Sequence, residues 1–238
     1  MDRDDHPSLL LGENGANPSG PVLFGRDGAL YGETADGGNP SCVGSAAQGC
    51  GVVFKLAPIA KGRWKESVLH AFNGADGFLP AGGLLFDAAG NLYGSTQHGG
   101  GGTPFDSGYG VIFELRPGVR GRRLFSVIHF FTGSTASAGI LPVGTMAIDM
   151  SGNLYGTTFN GGNLNHKCIF GYNYGCGVVF ELASGSHHAW KYSLLHSFNG
   201  KPDGVLPTGV VMSADGKLYG TTIGGGAMGL GSVFEVTP

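Results

Sequence analysis

Asp76 and Asp203 hold matching places in the chain. Each follows an "LHxFNG" string and each stands directly before a glycine. Two carboxylates facing one cleft can share the work of glycoside hydrolysis, one donating a proton while the other attacks or activates water. A retaining enzyme would hold them about 5–5.5 Å apart and an inverting one about 6.5–9.5 Å. The competing role is local, because an aspartate before glycine closes a turn by accepting bonds from nearby backbone N–H groups. Duplication favours the turn: it gives both aspartates the same setting, whereas acid–base chemistry requires two different ones.

His70, His129 and His196 each stand two residues before a phenylalanine. Strand alternation puts Val68, His70 and Phe72 on one face, and Leu194, His196 and Phe198 likewise. Such rings could join a metal or catalytic network, or could be buried histidines bonded to a neighbouring layer. Asp87, Asp149 and Asp215 lie in turns before "LY" strings. A turn role suits them, and calcium, the one cofactor open to them, would want several oxygen ligands at each site. No cofactor is expected.

Residues that interrupt the repetition are the better candidates for specific function. His98, Asp106 and Tyr109 lie in "QHGGGGTPFDSGYG", and His166, Lys167, Tyr172, Asn173 and Tyr174 in "FNGGNLNHKCIFGYNYGCG". Aromatic rings among amides and carboxylates suit sugars, whose C–H faces stack while their hydroxyls bond outward. His98 and His166 could also join Asp76 and Asp203 as acid–base residues. No G-x-S-x-G, H-E-x-x-H or C-x-x-C string is present, and the glycine runs at 99–102 and 224–226 lack the P-loop lysine.

What must position these residues is a repeat. "GALYGETADGG", "GNLYGSTQHGG", "GNLYGTTFNGG" and "GKLYGTTIGGG" begin at Gly28, Gly90, Gly152 and Gly216, at steps of 62, 62 and 64 residues. A fixed period of this size marks a repeat architecture. Each period holds four short β-type segments separated by Gly, Asn and Asp turns; in the second unit they are "GGLLFD", "LYGST", "GVIFEL" and "LFSVIHFF". Apolar runs such as Val52, Val53 and Phe54 imply that both sheet faces are covered. The expected fold is all-β, a four-bladed β-propeller of four-stranded antiparallel blades. One domain spans 1–238, with blades near 20–73, 82–132, 143–199 and 208–238. The last unit ends after its third strand, so an N-terminal strand at 6–11 is expected to complete it. The other possibility is a fragment, or half of an eight-bladed ring completed by dimerisation; the chain is a monomer or a homodimer.

Cys42 and Cys50, then Cys168 and Cys176, form two pairs with the same internal spacing, 126 positions apart. Two local disulfides, and hence an oxidising compartment, fit this spacing better than structural zinc, whose cysteines usually sit two to four residues apart. Units one and three share these cysteines, a tryptophan (Trp64, Trp190) and the Asp-Gly, so a two-blade unit was duplicated. The net charge of −3 and the lack of clustered basic residues beyond "RGRR" argue against nucleic acid. No segment reaches the length of a membrane span, and "MDRDDHPSLLLG" shows no signal peptide.

The combined string "LYGTTxxGG…GVVFEL…LHxFNGxxDGxxP…LxxDxxGN" resembles the GloVer repeat of bacterial choice-of-anchor tandem-repeat proteins, over almost the whole chain. The resemblance implies an exported or surface-attached bacterial protein with a propeller-like fold, and brings no established activity. Two functions follow as expectations: a binding or interaction module taking a glycan or another extracellular ligand on its long-loop rim, or a hydrolase or lyase acting there on a polysaccharide or ester. The location expected is extracellular, periplasmic or at the cell surface.

Overall fold

The computed structural model describes residues 14–42, 49–101, 108–133, 138–163, 168, 174–186 and 189–238. Their strands form four antiparallel sheets, each a meander in chain order. Blade one contains β1 (Ala16–Phe24), β2 (Leu30–Asp36), β3 (Val52–Pro58) and β4 (Trp64–Ala71). Blade two contains β5 (Phe78–Pro80), β6 (Leu85–Phe86), β7 (Leu92–His98), β8 (Val111–Pro117) and β9 (Arg123–Phe130). Blade three contains β10 (Ile140–Ile148), β11 (Leu154–Asn160), β12 (Val178–Ser184) and β13 (Trp190–Ser197). Blade four contains β14 (Val205–Met212), β15 (Leu218–Gly224) and β16 (Ser232–Val236). The chain is a four-bladed β-propeller, as its period predicts. The closing strand expected at 6–11 lies outside the described residues.

Each "LY" strand starts from the turn that precedes it. Asp87 Oδ1 accepts the Asn91 N–H at 2.8 Å, and Asp87 Oδ2 accepts from Asn91 Nδ2 at 2.8 Å. Asp149 repeats both bonds with Asn153. These carboxylates satisfy backbone donors that the turn would otherwise leave open, which is the turn role expected of them.

The inner strands begin about four residues before the apolar runs that mark them in sequence. Their first segments hold a proline (Pro18, Pro80, Pro142, Pro207), a residue that reads as loop because it cannot donate to a ladder. Leu79, Leu141 and Leu206, just before three of these prolines, have left-handed φ values of 60°, 59° and 56°. A tertiary contact holds each one there. Their N–H groups donate to Cys50, Tyr109 and Cys176 carbonyls of the preceding blade at 3.2, 2.9 and 2.9 Å. The following prolines seat against Gly51, Gly110 and Gly177, where any Cβ would strike the proline ring. The prolines recur with the period, but periodicity does not show that each one seats on the preceding blade.

Farther along, the inner strands converge on one another. The ladder shifts register between Val143 and Ala147, at Gly144 (φ 75°), where a Cβ would run into the Thr208 carbonyl of blade four. Only glycine allows that approach. Three apolar clusters fill the junctions between successive blades. The first joins Tyr31, Val53 and Phe72 to Leu84 and Phe113; the second joins Leu85 and Ile112 to Met146 and Phe180; the third joins Tyr155 and Val179 to Val210 and Leu218.

Candidate ligand-binding rim and its histidine–aspartate pairs

The outer strands carry a bulge that corrects the expected facing of the histidines. Val53 pairs with His70 but Phe54 pairs with Val68, so Leu69 is an extra residue. Val68 and His70 therefore point to opposite faces, and the same shift separates Leu194 from His196. His70 faces blade two, where it stacks on Phe125 with ring centroids 3.6 Å apart and planes 3° from parallel. His129 stacks in the same way on Tyr192 of blade three, at 4.7 Å and 12°. His70 and His129 thus each contribute a ring face to a blade junction.

Asp76 and Asp203 are the partners of His70 and His196. His70 Nε2 lies 3.0 Å from Asp76 Oδ2, and Asp76 Oδ1 accepts the Asn73 N–H at 2.9 Å. His196 Nε2 lies 3.1 Å from Asp203 Oδ2, which also accepts the Asn199 N–H at 3.1 Å. Each carboxylate is engaged by its own turn and its own blade's histidine. Ala138 stands in blade two where Asp76 stands in blade one, directly before the glycine that precedes the inner strand. His129, without that partner, has its pKa pushed down to about 4 by burial.

The loops joining the second and third strands of each blade share one rim with the connections between blades. Disulfides Cys42–Cys50 and Cys168–Cys176 close the first and third of these loops. Their sulfurs sit in the core beneath the rim, among the residues of the first and third junction clusters. Tyr109, on the second loop, packs its ring directly over Gly133 of the next connection and remains 43% exposed. Its carbonyl is the one that anchors Leu141, so both ends of the residue are fixed. Tyr174 on the third loop is 60% exposed. Nearby, Asn163 Nδ2 donates to Asn199 Oδ1 at 3.1 Å and Asn160 Nδ2 to the Gly175 carbonyl at 3.2 Å. Met228 and Leu230 are exposed on the fourth loop. His98 ends β7 with its ring 5.9 Å from Phe78 across the ladder. Asp106, His166, Lys167, Tyr172 and Asn173 lie outside the described residues. Among the described residues, no three His, Cys, Asp or Glu side chains converge in a way that could hold a metal ion, and no helix is long and apolar enough to cross a membrane.

One ionisable group escaped sequence reasoning. Glu33 occupies the place of Ser95, Thr157 and Thr221 in the other units, and is buried in the junction of blades one and two. Its Oε2 accepts the Gly83 N–H at 3.0 Å, while Oε1 has no partner. Burial pushes its pKa up to about 8. The available signal was a carboxylate where the repeat otherwise places a hydroxyl.

Sheets, latches and rim together define a tandem-repeat β-propeller. Residues 8–170 and 102–238 match the Gloeobacter/Verrucomicrobia repeat, and the chain belongs to that family. No curated protein matches. Among solved structures, a putative gluconolactonase aligns at 17% identity and a TM-score of 0.45, over 91% of this chain and 58% of its own. This chain therefore spans less than two thirds of that protein. A gluconolactonase from Xanthomonas campestris aligns at 14% identity and 0.46, over 96% of this chain and 78% of its own. A luciferin-regenerating enzyme aligns at 13% identity and 0.48, over 95% and 77%.

Proposed function

We propose that the protein is an exported binding module that takes a glycan on its long-loop rim. The observation that supports this reading is Tyr109: an aromatic ring held flat over a glycine, with its outer side open to solvent. A sugar's C–H face can stack on such a ring without first having to order it. Tyr174 and the amides of Asn160 and Asn163 extend the surface, and the disulfides limit the freedom of two of its loops. Disulfides also fit an oxidising compartment, where extracellular glycans are met. A glycan array should give hits that Tyr109→Ala weakens by about tenfold, the scale of one aromatic contact. Hits unchanged by Tyr109→Ala and Tyr174→Ala would remove the rim from the reading.

A hydrolase acting on a polysaccharide or ester is the second reading, and the His196–Asp203 pair favours it. Both members are partly exposed at the rim, 36% and 29% by side chain. Against this, each aspartate is already held by its own turn. Chromogenic esters and glycosides separate the two readings. Asp76→Asn and Asp203→Asn should each leave any turnover within about tenfold, roughly 1.4 kcal/mol in barrier. A thousandfold loss in either variant, with the circular dichroism spectrum intact, would establish the pair as catalytic.

A further inference from the structure

The repeat is broken toward positive charge at one place in the molecule. Glu114, Glu181 and Glu235 hold one position of the third strand in blades two to four, and blade one has Lys55 there. Trp64 and Trp190 open the outer strands of blades one and three, and Arg123 opens that of blade two. The turn between first and second strands carries Ala88, Met150 and Ala214 in blades two to four, and Arg26 in blade one. The fold gathers these three cations between blades one and two, on the face opposite the rim. They line two adjoining cavities of about 210 and 200 Å³, whose shared wall is Asp27, Tyr31, Pro117 and Arg123. Arg122 lines the second cavity, so the one basic run of the sequence also ends here. At the next junction Trp190 meets Tyr93 edge-on, with ring centroids 5.9 Å apart. Arg123 takes that place against Tyr31, its guanidinium carbon 5.9 Å from the Tyr31 centroid and 5.6 Å from that of Phe86. Its side chain is narrower than an indole and leaves space beside the two rings. Nη1 donates to the Gly90 carbonyl at 2.6 Å and the Leu115 carbonyl at 3.0 Å. Among the described residues Nε and Nη2 make no bond, and both remain for a ligand.

We propose that this junction is a second ligand site, independent of the rim, for a small carboxylic acid whose carboxylate is carried on a ring. The planar fork of Arg123 matches a carboxylate, and Arg26 and Arg122 add positive field around it. Two carboxylates also line the cavities, and both are engaged. Asp27 Oδ2 lies 2.6 Å from Lys55 Nζ and accepts the Tyr31 hydroxyl at 2.9 Å, while Asp87 is held by its own turn. Among the described residues, Arg26, Arg122 and Arg123 have no carboxylate partner. The ligand's ring would take the place beside Tyr31 and Phe86 that Trp190 fills one junction farther on. Each cavity is smaller than the roughly 300–1,000 Å³ that drug-sized ligands occupy, so the ligand is small. Asp27 and Asp87 on the same walls favour one negative charge over the two of a phosphate.

Sugar acids and aromatic acids share this chemistry, so glucuronate and benzoate are the probes, with glucose, benzamide and inorganic phosphate beside them. In NMR titrations of the full chain, at least one of the two acids should shift the Arg123 Nε–H resonance and saturate with a Kd of about 1 mM or tighter. The acid that binds more tightly identifies the source of the carboxylate. Arg123→Trp installs the residue of blade three, so it should keep the fold and weaken binding by about tenfold or more. Arg26→Ala installs the residue of blade two at an exposed site, and should weaken binding about threefold. Met150→Ala, at the same turn position in blade three, should change nothing. Parent-like binding in Arg26→Ala, or in a folded Arg123→Trp, would overturn the proposal. So would an unmoved Arg123 resonance with both acids, or a neutral analogue or phosphate that binds as tightly as the acids.

Discussion

Blades one and two carry the same histidine on the same strand and complete it differently. His70 has an aromatic partner ahead of it and a carboxylate behind it; His129 has the aromatic partner and, among the described residues, no carboxylate. The ring stack is therefore the common structural element, and the aspartate is an addition found in the odd-numbered blades. A repeat that keeps its histidine without the carboxylate has kept it for packing. The same comparison two strands farther in sets Glu33 against Ser95: each is buried at the matching position of its own blade, and only Glu33 must lose or keep a proton there.

The largest effect should come from removing the phenylalanine beneath each stack. Phe72 and Phe131 are buried edge-on to His70 and His129. Phe72→Ala and Phe131→Ala should each cost about 3–5 kcal/mol in urea unfolding. A much smaller loss in blade two than in blade one would break the equivalence of the stacks.

Glu33→Gln should give the next largest change, in the stabilising direction. Glu33 stays protonated in the fold until about pH 8 and ionises near 4.5 when unfolded. Between those values the unfolded chain releases the proton that the fold retains, so stability falls as pH rises and levels above about 8. The glutamine variant should therefore exceed the parent by roughly 2–3 kcal/mol near pH 7 and match it near pH 4. An equal difference at both pH values would mean that Glu33 does not titrate in this window.

His129 gives the smaller, opposite pH dependence. Its folded pKa of about 4 lies below the ordinary 6.5, so the stability that comes with its neutral form is complete above 6.5 and is lost as pH falls toward 4. His129→Gln should flatten that fall by roughly 2 kcal/mol, less where solvent reaches the ring. Ala138→Asp, which installs the carboxylate that blade one has, should raise the His129 pKa in an NMR titration. An unmoved titration would show that the loop of blade two holds its carboxylate differently from Asp76.

The repeat, its four strands and the aspartate turns were legible because they are local. Period-two apolar runs, Asp-x-x-Gly turns and the spacing of the "LY" strings each act within a few residues. The inner-strand starts were not legible, since Leu79, Leu141 and Leu206 hold their backbone shape only through carbonyls on another blade. The bulge at Leu69 likewise reversed a facing that simple alternation assigned. At the rim, Tyr109 could be picked out by type, but the glycine beneath its ring lies on a different connection. Val233 likewise reads like Val53 and Val179, yet it is 76% exposed where they are buried.

Each proline–glycine latch grips only the blade before it, so neighbouring blades are joined link by link. Stability in such an array is a sum of unit terms and nearest-neighbour terms. Under tension applied at the two ends of the described residues, the links would yield in succession, beginning with blade one or blade four, each of which is latched on one side among those residues. The interior blades, gripped from both sides, would release last. A molecule built this way fails by peeling, and its central Tyr109 loop, carried by blade two and clasped by blade three, lies where peeling arrives late.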